Sequence, residues 1–544
     1  MADALATYTT RRTPQTRPAN PRQSRNSAGG YTFTVAPQTA LRRFLILGVD
    51  SGTYYARPPE LAAQNAELLL QYATDDHRGL VDTIVEISTS GAAPKPNPAL
   101  FALAVAASHG TTDEKTYALA QLPRVARTGT HLFTFSRYVE QFRGWGRGLR
   151  RGVASWYTDS DVDRLAYQMV KYRARGGTSH RGMLRQSHPA AGVDVQRRAL
   201  FDWACNGTVT GDLPAIVHGF LAAQQPGADL PKLIRDYGLT WEMLPSEALT
   251  RTDVWQALVE NGMPTGALLR NLPTLTRVGL IAGRSSWTTA VTEQLTNTDA
   301  LRGALIHPMS VLVALRTYAA GRGDRGKHTW QPNPAVTDAL DTAFYRAFET
   351  VEPAGKRTMI GLDVSGSMGV PVAGMPLTAA EACTAMAMVT AASEPECDAY
   401  AFTSSDRSIW RRRNSDSTEL TRLDLSSRRR LDDVLADTWR MTFGRTDCSL
   451  PMQHAIDTGA EVDTFIVYTD NETWYGDEHP YQALHRYRDT TGIHAKLIVV
   501  AATATKSTIA DPDDPGMLDV VGLDDAAPAV IADFSRGGLG GGDL

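Results

Sequence analysis

Three short oxygen side chains fall at alternate positions in the segment TMIGLDVSGSMG, residues 358–369: Asp363, Ser365 and Ser367. An apolar run of β type precedes them, and the Ser/Gly content turns the chain there, so one carboxylate and two hydroxyls can converge on a point. That donor set suits a hard divalent cation, Mg²⁺ first and Mn²⁺ second. Such ions take oxygen ligands and keep positions for water or for a partner's carboxylate. A Ser/Gly-rich turn without a ligand is the plain alternative, and two later residues weigh against it. Asp470 follows a second apolar run, TFIVYT, and Thr446 lies in the loop segment GRTDCS. Oxygen-bearing residues after parallel strands stand where open α/β sheets hold their ligands.

Charge carries the second kind of chemistry. The formal net charge of the 544 residues is −4, yet residues 1–350 hold 38 Lys+Arg against 29 Asp+Glu, and residues 351–544 hold 17 against 30. The two halves therefore meet different electrostatic partners. Residues 121–200 alone carry 15 basic and 5 acidic side chains, a candidate surface for a polyanion. In QFRGWGRGLRRGVASWY, Arg147, Arg150 and Arg151 interleave with aromatic residues. There Trp145, Leu149, Val153 and Trp156 share one helical face and read as core, which turns the arginines outward. A helix expected over 161–175 buries Leu165, Met169 and Tyr172. It would align Arg164, Gln168, Lys171 and Arg175 in a row able to track a phosphate backbone. Cations in a last turn before two glycines would also complement the helix dipole. Arg173, His180, Arg181, Arg185 and His188 extend the cluster, and the spacing of the two histidines fits no common zinc motif.

The elements that must position these groups follow from the patterning. The length predicts two or more domains. Four scattered cysteines have neither metal-ligand nor disulfide spacing. There is no apolar run of membrane-spanning length and no hydrophobic leader at the start, so a cytosolic protein is expected. Residues 1–26, rich in Thr, Pro and Arg, are expected to be a disordered basic tail. NSAGGYTFTV reads as a short hairpin or extended entry segment. From 38 to about 350, apolar residues recur at helical spacing between short Gly/Pro turns, which predicts an α-solenoid. The remainder alternates strands and helices. It contains a T-x-x-E capping box at Thr378 and Glu381, and basic stretches at 411–413 and 428–430 that either extend the polyanion surface or form a solvated face.

Asp363, Ser365, Ser367, Thr446 and Asp470, in that order, resemble the metal-ion-dependent adhesion site of von Willebrand A domains. By that resemblance the serines and Thr446 offer hydroxyls, the two aspartates bind directly or through water, and one position stays open for an acidic group of a protein partner. NSAGGY, GTYY, GWGRGLR, MPTGALLRNL, IHPMSVLVAL, VEPAGKR, DVSGSM, TDCSLPM and TDNETW, together with the region 171–188, resemble the TROVE family of Ro ribonucleoproteins over nearly the whole chain. Gly366 stands where some members have Ala, leaving the ligands unchanged. The resemblance implies an α plus α/β protein. A ring-like HEAT-type helical solenoid (27–355) would be closed by a von Willebrand A domain (356–544). It places RNA contacts at Lys171, Arg175 and His188. Arg147, Arg150, Arg151, Arg173, His180, Arg181 and Arg185 are neighbours on chemistry alone. The implied partners are a Y-like noncoding RNA on the basic outer surface and single-stranded ends of misfolded or structured RNA in a central hole. An exoribonuclease joins them, in RNA quality control or processing. No membrane partner and no enzymatic activity are expected. Two rival readings are a protein-binding scaffold without RNA and a metal-dependent phosphohydrolase. The second lacks a Gly-rich phosphate loop, a nucleophile elbow or a paired acid and base beside Asp363.

Overall fold

The computed structural model describes the chain except residues 1–11, 27, 35–36, 48–57, 91–95, 305, 324–327, 373–374, 403–419, 427, 442–445, 471–472, 503–506, 522–526 and 538–544. The GTYY motif at 52–55 and the arginines at 411–413 lie outside the described residues. Two compact units result, one of residues 64–295 with 318–337, the other of 1–63, 296–317 and 338–544. The division departs from the boundary expected at 355: residues 296–317 and 338–355 fall in the α/β unit, and the N-terminal residues join it as well.

Strand pairing accounts for that. Strand β1 (Gln23–Arg25) turns through Gly29, at φ +101°, into antiparallel β2 (Tyr31–Thr34), and β2 pairs in turn with Ser507–Thr508. Phe33 is buried and meets the Tyr481 ring edge-on at 5.1 Å. The disordered tail expected over 1–26 is therefore corrected for residues 12–26, where Gln15 and Ala19 are buried. The physical reason is that the tail supplies little apolar surface itself but adds to a surface provided by the distant α/β residues.

The helical unit follows the predicted periodicity except at Trp145 and Tyr172, which fall outside the helices and are only partly buried. The helix Arg147–Thr158 buries Leu149, Val153, Trp156 and Tyr157. The next helix, Val162–Lys171, starts on an Asp161 cap that accepts from the amides of Asp163 and Arg164, satisfying donors the helix leaves open. It stops at Lys171, short of the expected 175. The chain instead forms a hairpin of β3 (Ala174–Arg175) and β4 (Thr178–Ser179). Gly176 and Gly177, at φ +56° and +80°, supply the two positive values that a primed two-residue turn requires. Arg175 thus leaves the helical row with Arg164 and Lys171. The helices His180–Ser187, Val195–Asn206 and Ala215–Ala223 follow.

In the other unit β5 (Thr358–Asp363), β6 (Cys397–Phe402), β7 (Leu420–Arg422), β8 (Thr464–Thr469), β9 (Lys496–Ala501) and β11 (Met517–Val521) form one sheet, and Ser507–Thr508 is β10. The order is β11-β9-β8-β5-β6-β7, parallel except for β6 with β7. All six residues of β5 and of β8 are buried, as strands covered on both faces must be. From β5 the chain goes to β6 on one side and later returns to β8 on the other. The carboxyl ends of β5 and β8 are therefore a topological switch point. A Cβ on Gly361 would lie 2.6 Å from Pro451 Cγ, so glycine lets the helix Leu450–Thr458 approach β5 closely. The predicted capping box closes at Thr378 and Glu381 ahead of the helix Ala379–Ser393.

Candidate metal site and basic groove

β5 delivers Asp363 to the switch point, and Asp470 follows β8 directly beside it. Leu362 pairs with Tyr468 in the register. Asp363, Ser365, Thr446 and Asp470 are buried and Ser367 is partly exposed. Asp363 Oδ1 accepts from the Ser365 amide at 2.8 Å, and its Oδ2 from the Thr469 hydroxyl at 2.8 Å. The Ser365 and Ser367 hydroxyls are 3.0 Å apart. Thr446 is fixed to the loop after Asp470, its carbonyl accepting from the amides of Trp474 and Tyr475 at 3.2 and 3.1 Å. Cys448, two residues on, places its Sγ 3.8 Å from Thr469 Oγ1. Asp363, Ser365 and Ser367 thus stand together at the end of β5 and Asp470 follows the adjacent β8, while Thr446 is tied through its carbonyl to the segment after Asp470.

The electrostatics suit a cation. Burial and the charge of Asp470 raise the pKa of the Asp363 carboxyl, against the opposing hydrogen bonds from Ser365 and Thr469. Two buried carboxylates that repel one another, flanked by hydroxyl oxygens, form an arrangement that a divalent ion relieves. Among the described residues no group of three or more His, Cys, Asp or Glu side chains is placed to hold a metal. The donor set here is therefore hydroxyl and carboxylate oxygen, which fits Mg²⁺ or Mn²⁺ rather than zinc.

The basic residues divide into two settings. Arg147, Arg150 and Arg151 are exposed on the helix Arg147–Thr158. They lie near its N-terminal end, with no acidic residue in the first turn, where the helix dipole disfavours cations. Arg173, Arg175, Arg181, Arg185 and His188 are exposed around the β3–β4 hairpin and the helix His180–Ser187. His188 caps that helix in the left-handed region, at φ 49°. Arg173 and Arg181 line a groove of about 710 Å³ with Ser179, Trp203, Asn206 and Gln224. The Arg173 guanidinium lies 4.8 Å from the Phe220 ring centre, and Phe220 meets Trp203 edge-on at 6.3 Å. Arg185 donates to the Cys205 carbonyl at 2.9 Å.

Two predicted contacts change character. His180 is buried, so its expected place on the RNA surface is corrected. Its Nδ1 lies 2.7 Å from the Tyr157 hydroxyl, its ring packs against Phe133 and Trp156, and burial pulls its pKa down to about 3. A polar residue read beside five cations looks exposed, but its position on the helix turns it inward. Lys171 is half-buried and paired with Glu242 at 3.4 Å, 3.1 Å from the Tyr167 hydroxyl. Burial works against its charge, yet Tyr167 and Glu242 outweigh burial and raise its pKa.

Comparisons with known proteins identify the family. The TROVE domain model matches residues 24–209 and 232–317, and the Ro60 vWA domain model matches 357–535. RNA-binding protein RO60 of Deinococcus radiodurans is 40% identical over 534 residues, covering 96% of this chain and 97% of the relative. The chain belongs to the TROVE-domain Ro60 family. The Caenorhabditis elegans RNA-binding protein RO60 is 33% identical over 596 residues, covering 95% and 90%. The crystal structure of the Deinococcus radiodurans RO (RSR) protein superposes with a TM-score of 0.73 at 38% identity, covering 92% of this chain and 100% of that one.

For this Ro60-family chain, sequence reading missed several groups at the groove. Trp203 sits on the helix Val195–Asn206, whose sole fully buried residue is Leu200. A large aromatic residue on a helix so poorly buried is the signal that was available. Arg137 is exposed, and a Cβ on Gly176 would lie 2.7 Å from its Nη1. It therefore joins the hairpin cations through a contact no spacing reveals.

Proposed function

We propose that this Ro60-family protein binds a structured, Y-like noncoding RNA through the cations of the hairpin and groove. By the same reading it receives single-stranded ends of misfolded or structured RNA and acts in cytoplasmic RNA quality control or processing. One observation carries the reading: Arg173, Arg175, Arg181, Arg185 and His188 are exposed, and Arg173 and Arg181 line a groove together with the partly exposed Trp203 and the buried Phe220. Arginines there can meet phosphates, and an aromatic platform suits unpaired bases, which sets RNA apart from a protein ligand. In support, the Deinococcus and Caenorhabditis relatives carry the name RNA-binding protein. Among the described residues no helix is long and apolar enough to cross a membrane.

Asp363, Ser365, Ser367, Thr446 and Asp470 would hold Mg²⁺, or Mn²⁺ in its place. The ion would supply a positive centre for an acidic group of a protein partner, an exoribonuclease in the reading we favour. Groups of this chain do the rest: the side-chain hydroxyl of Thr469 and the backbone amide of Ser365 fix the Asp363 carboxylate at 2.8 Å each.

The test is the salt dependence of RNA binding. Arg175→Ala should weaken binding across sequences and reduce the slope of log K against log salt by about one. Lys171→Ala should reduce it less, because Glu242 already neutralises part of that charge at 3.4 Å. Slopes unchanged in both variants would leave the hairpin without a role in RNA binding.

A further inference from the structure

Gln15 is fully buried, with a relative exposure of 0%. Its side-chain amide donates to Asp447 Oδ1 at 2.7 Å and to the Glu478 carbonyl at 2.9 Å, and its Oε1 accepts from the Thr473 hydroxyl at 2.5 Å. Asp447 follows the metal-site residue Thr446 directly. Thr473 lies in the loop that begins with Asp470. The same Thr473 Oγ1 accepts from the Cys448 amide and stands 3.3 Å from the Thr446 carbonyl. Asp447 Oδ1 also accepts from the Ser449 amide at 3.0 Å and its hydroxyl at 2.5 Å. One glutamine from the N-terminal segment therefore bridges the two loops that must hold their ligands in place together.

The rest of the segment fixes Gln15 where it is. Its amide donates to the Gly476 carbonyl at 3.0 Å, and its carbonyl accepts from the Tyr31 amide of β2 at 2.9 Å. Asn26 donates to the Thr473 carbonyl at 2.7 Å, and Gly30 runs so close that a Cβ there would lie 2.3 Å from the same oxygen. His479 Nε2 lies 2.9 Å from the Arg17 carbonyl, and Arg22 pairs with Asp511 at 3.0 Å. Polar groups this deeply buried are costly unless their partners stay in register.

We infer that Gln15 is a positioning residue for the metal site, so that docking of residues 12–34 and divalent-cation binding are linked. The inference rests on the metal reading above. Linkage is reciprocal: a segment that favours the cation-binding loop geometry is itself held more firmly when the cation is bound.

The experiment uses the full chain, with Mn²⁺ binding followed by electron paramagnetic resonance and amide exchange of residues 12–34 followed with and without Mn²⁺. Gln15→Ala and Thr473→Val are each expected to weaken Mn²⁺ binding about tenfold, because each removes the side-chain hydrogen bonds that tie the two loops together at a buried node. Thr473→Ser, which keeps the hydroxyl, should bind like the wild type, and this separates positioning from general loss of fold. Mn²⁺ should slow exchange over 12–34 in the wild type and not in Asp363→Ala. Wild-type affinity in both Gln15→Ala and Thr473→Val would overturn the inference while leaving the metal site standing. Absence of Mn²⁺ binding in the wild type itself would remove the metal reading and the inference with it.

Discussion

At the scale of single residues, Asp363 and His180 mark opposite outcomes for buried polar groups. Asp363 is placed against a second carboxylate and several hydroxyls, an arrangement that makes sense around a cation. Asp363→Ala should lose Mn²⁺ binding by calorimetry while RNA affinity stays near the wild-type value. Parallel loss of both activities in a folded variant would join two sites that we keep separate. His180 fills a core position among Phe133, Trp156 and Tyr157. His180→Ala should lower unfolding stability by about 2–4 kcal/mol through lost packing and a lost buried hydrogen bond, as measured by denaturant titration. A stable variant with weakened RNA binding would instead restore His180 to the surface role. Trp203→Ala should reduce affinity for unpaired RNA several-fold and leave duplex binding unchanged in filter binding, because only unstacked bases expose their faces.

At the scale of elements, the hairpin β3–β4 decides where Arg175 stands. Its turn depends on positive φ at Gly176 and Gly177, which costs a side chain about 1 kcal/mol or more. Gly177 has open space around an added Cβ, so Gly177→Ala tests backbone conformation without a clash. The expected result is weaker RNA binding with nearly unchanged global melting. Identical RNA affinity would mean that the hairpin's shape does not matter to the ligand. The helical pattern was legible up to Lys171. The hairpin beyond it was not, because a pair of glycines ends a helix and turns a hairpin by the same conformational freedom. The strands β5 and β8 were legible, since both are apolar runs that end in oxygen residues.

At the scale of the whole molecule, buried histidines set the acid limit. Burial holds His180 down to about 3, His307 to about 4 and, with Arg127 adding to burial, His131 to about 4. Each binds its proton in the unfolded chain near pH ~6.5 but stays neutral in the folded one. Their contribution is therefore present above pH ~6.5 and is lost as pH falls toward those lower values. Each adds a slope of about 1.4 kcal/mol per pH unit within its window. Unfolding free energies at pH 7 and pH 5 should differ accordingly, and His180→Gln should flatten the difference. An equal pH slope in wild type and variant would remove His180 from this account.

The sequence by itself determined the helical and α/β composition, the five oxygen residues, the basic segment and the family, because each is written in local periodicity or in contiguous motifs. Tertiary structure alone decided which cations are free. Lys171 meets Glu242 and His180 turns into the core, contacts between residues whose separation along the chain carries no signal. It also decided the fate of the N-terminal segment. Residues poor in apolar surface become ordered when a distant sheet and two loops supply the partners, and Gln15 joins Asp447 and Thr473 across more than 400 residues of chain. No local pattern encodes that contact, since its free energy comes from groups that meet only in the folded protein.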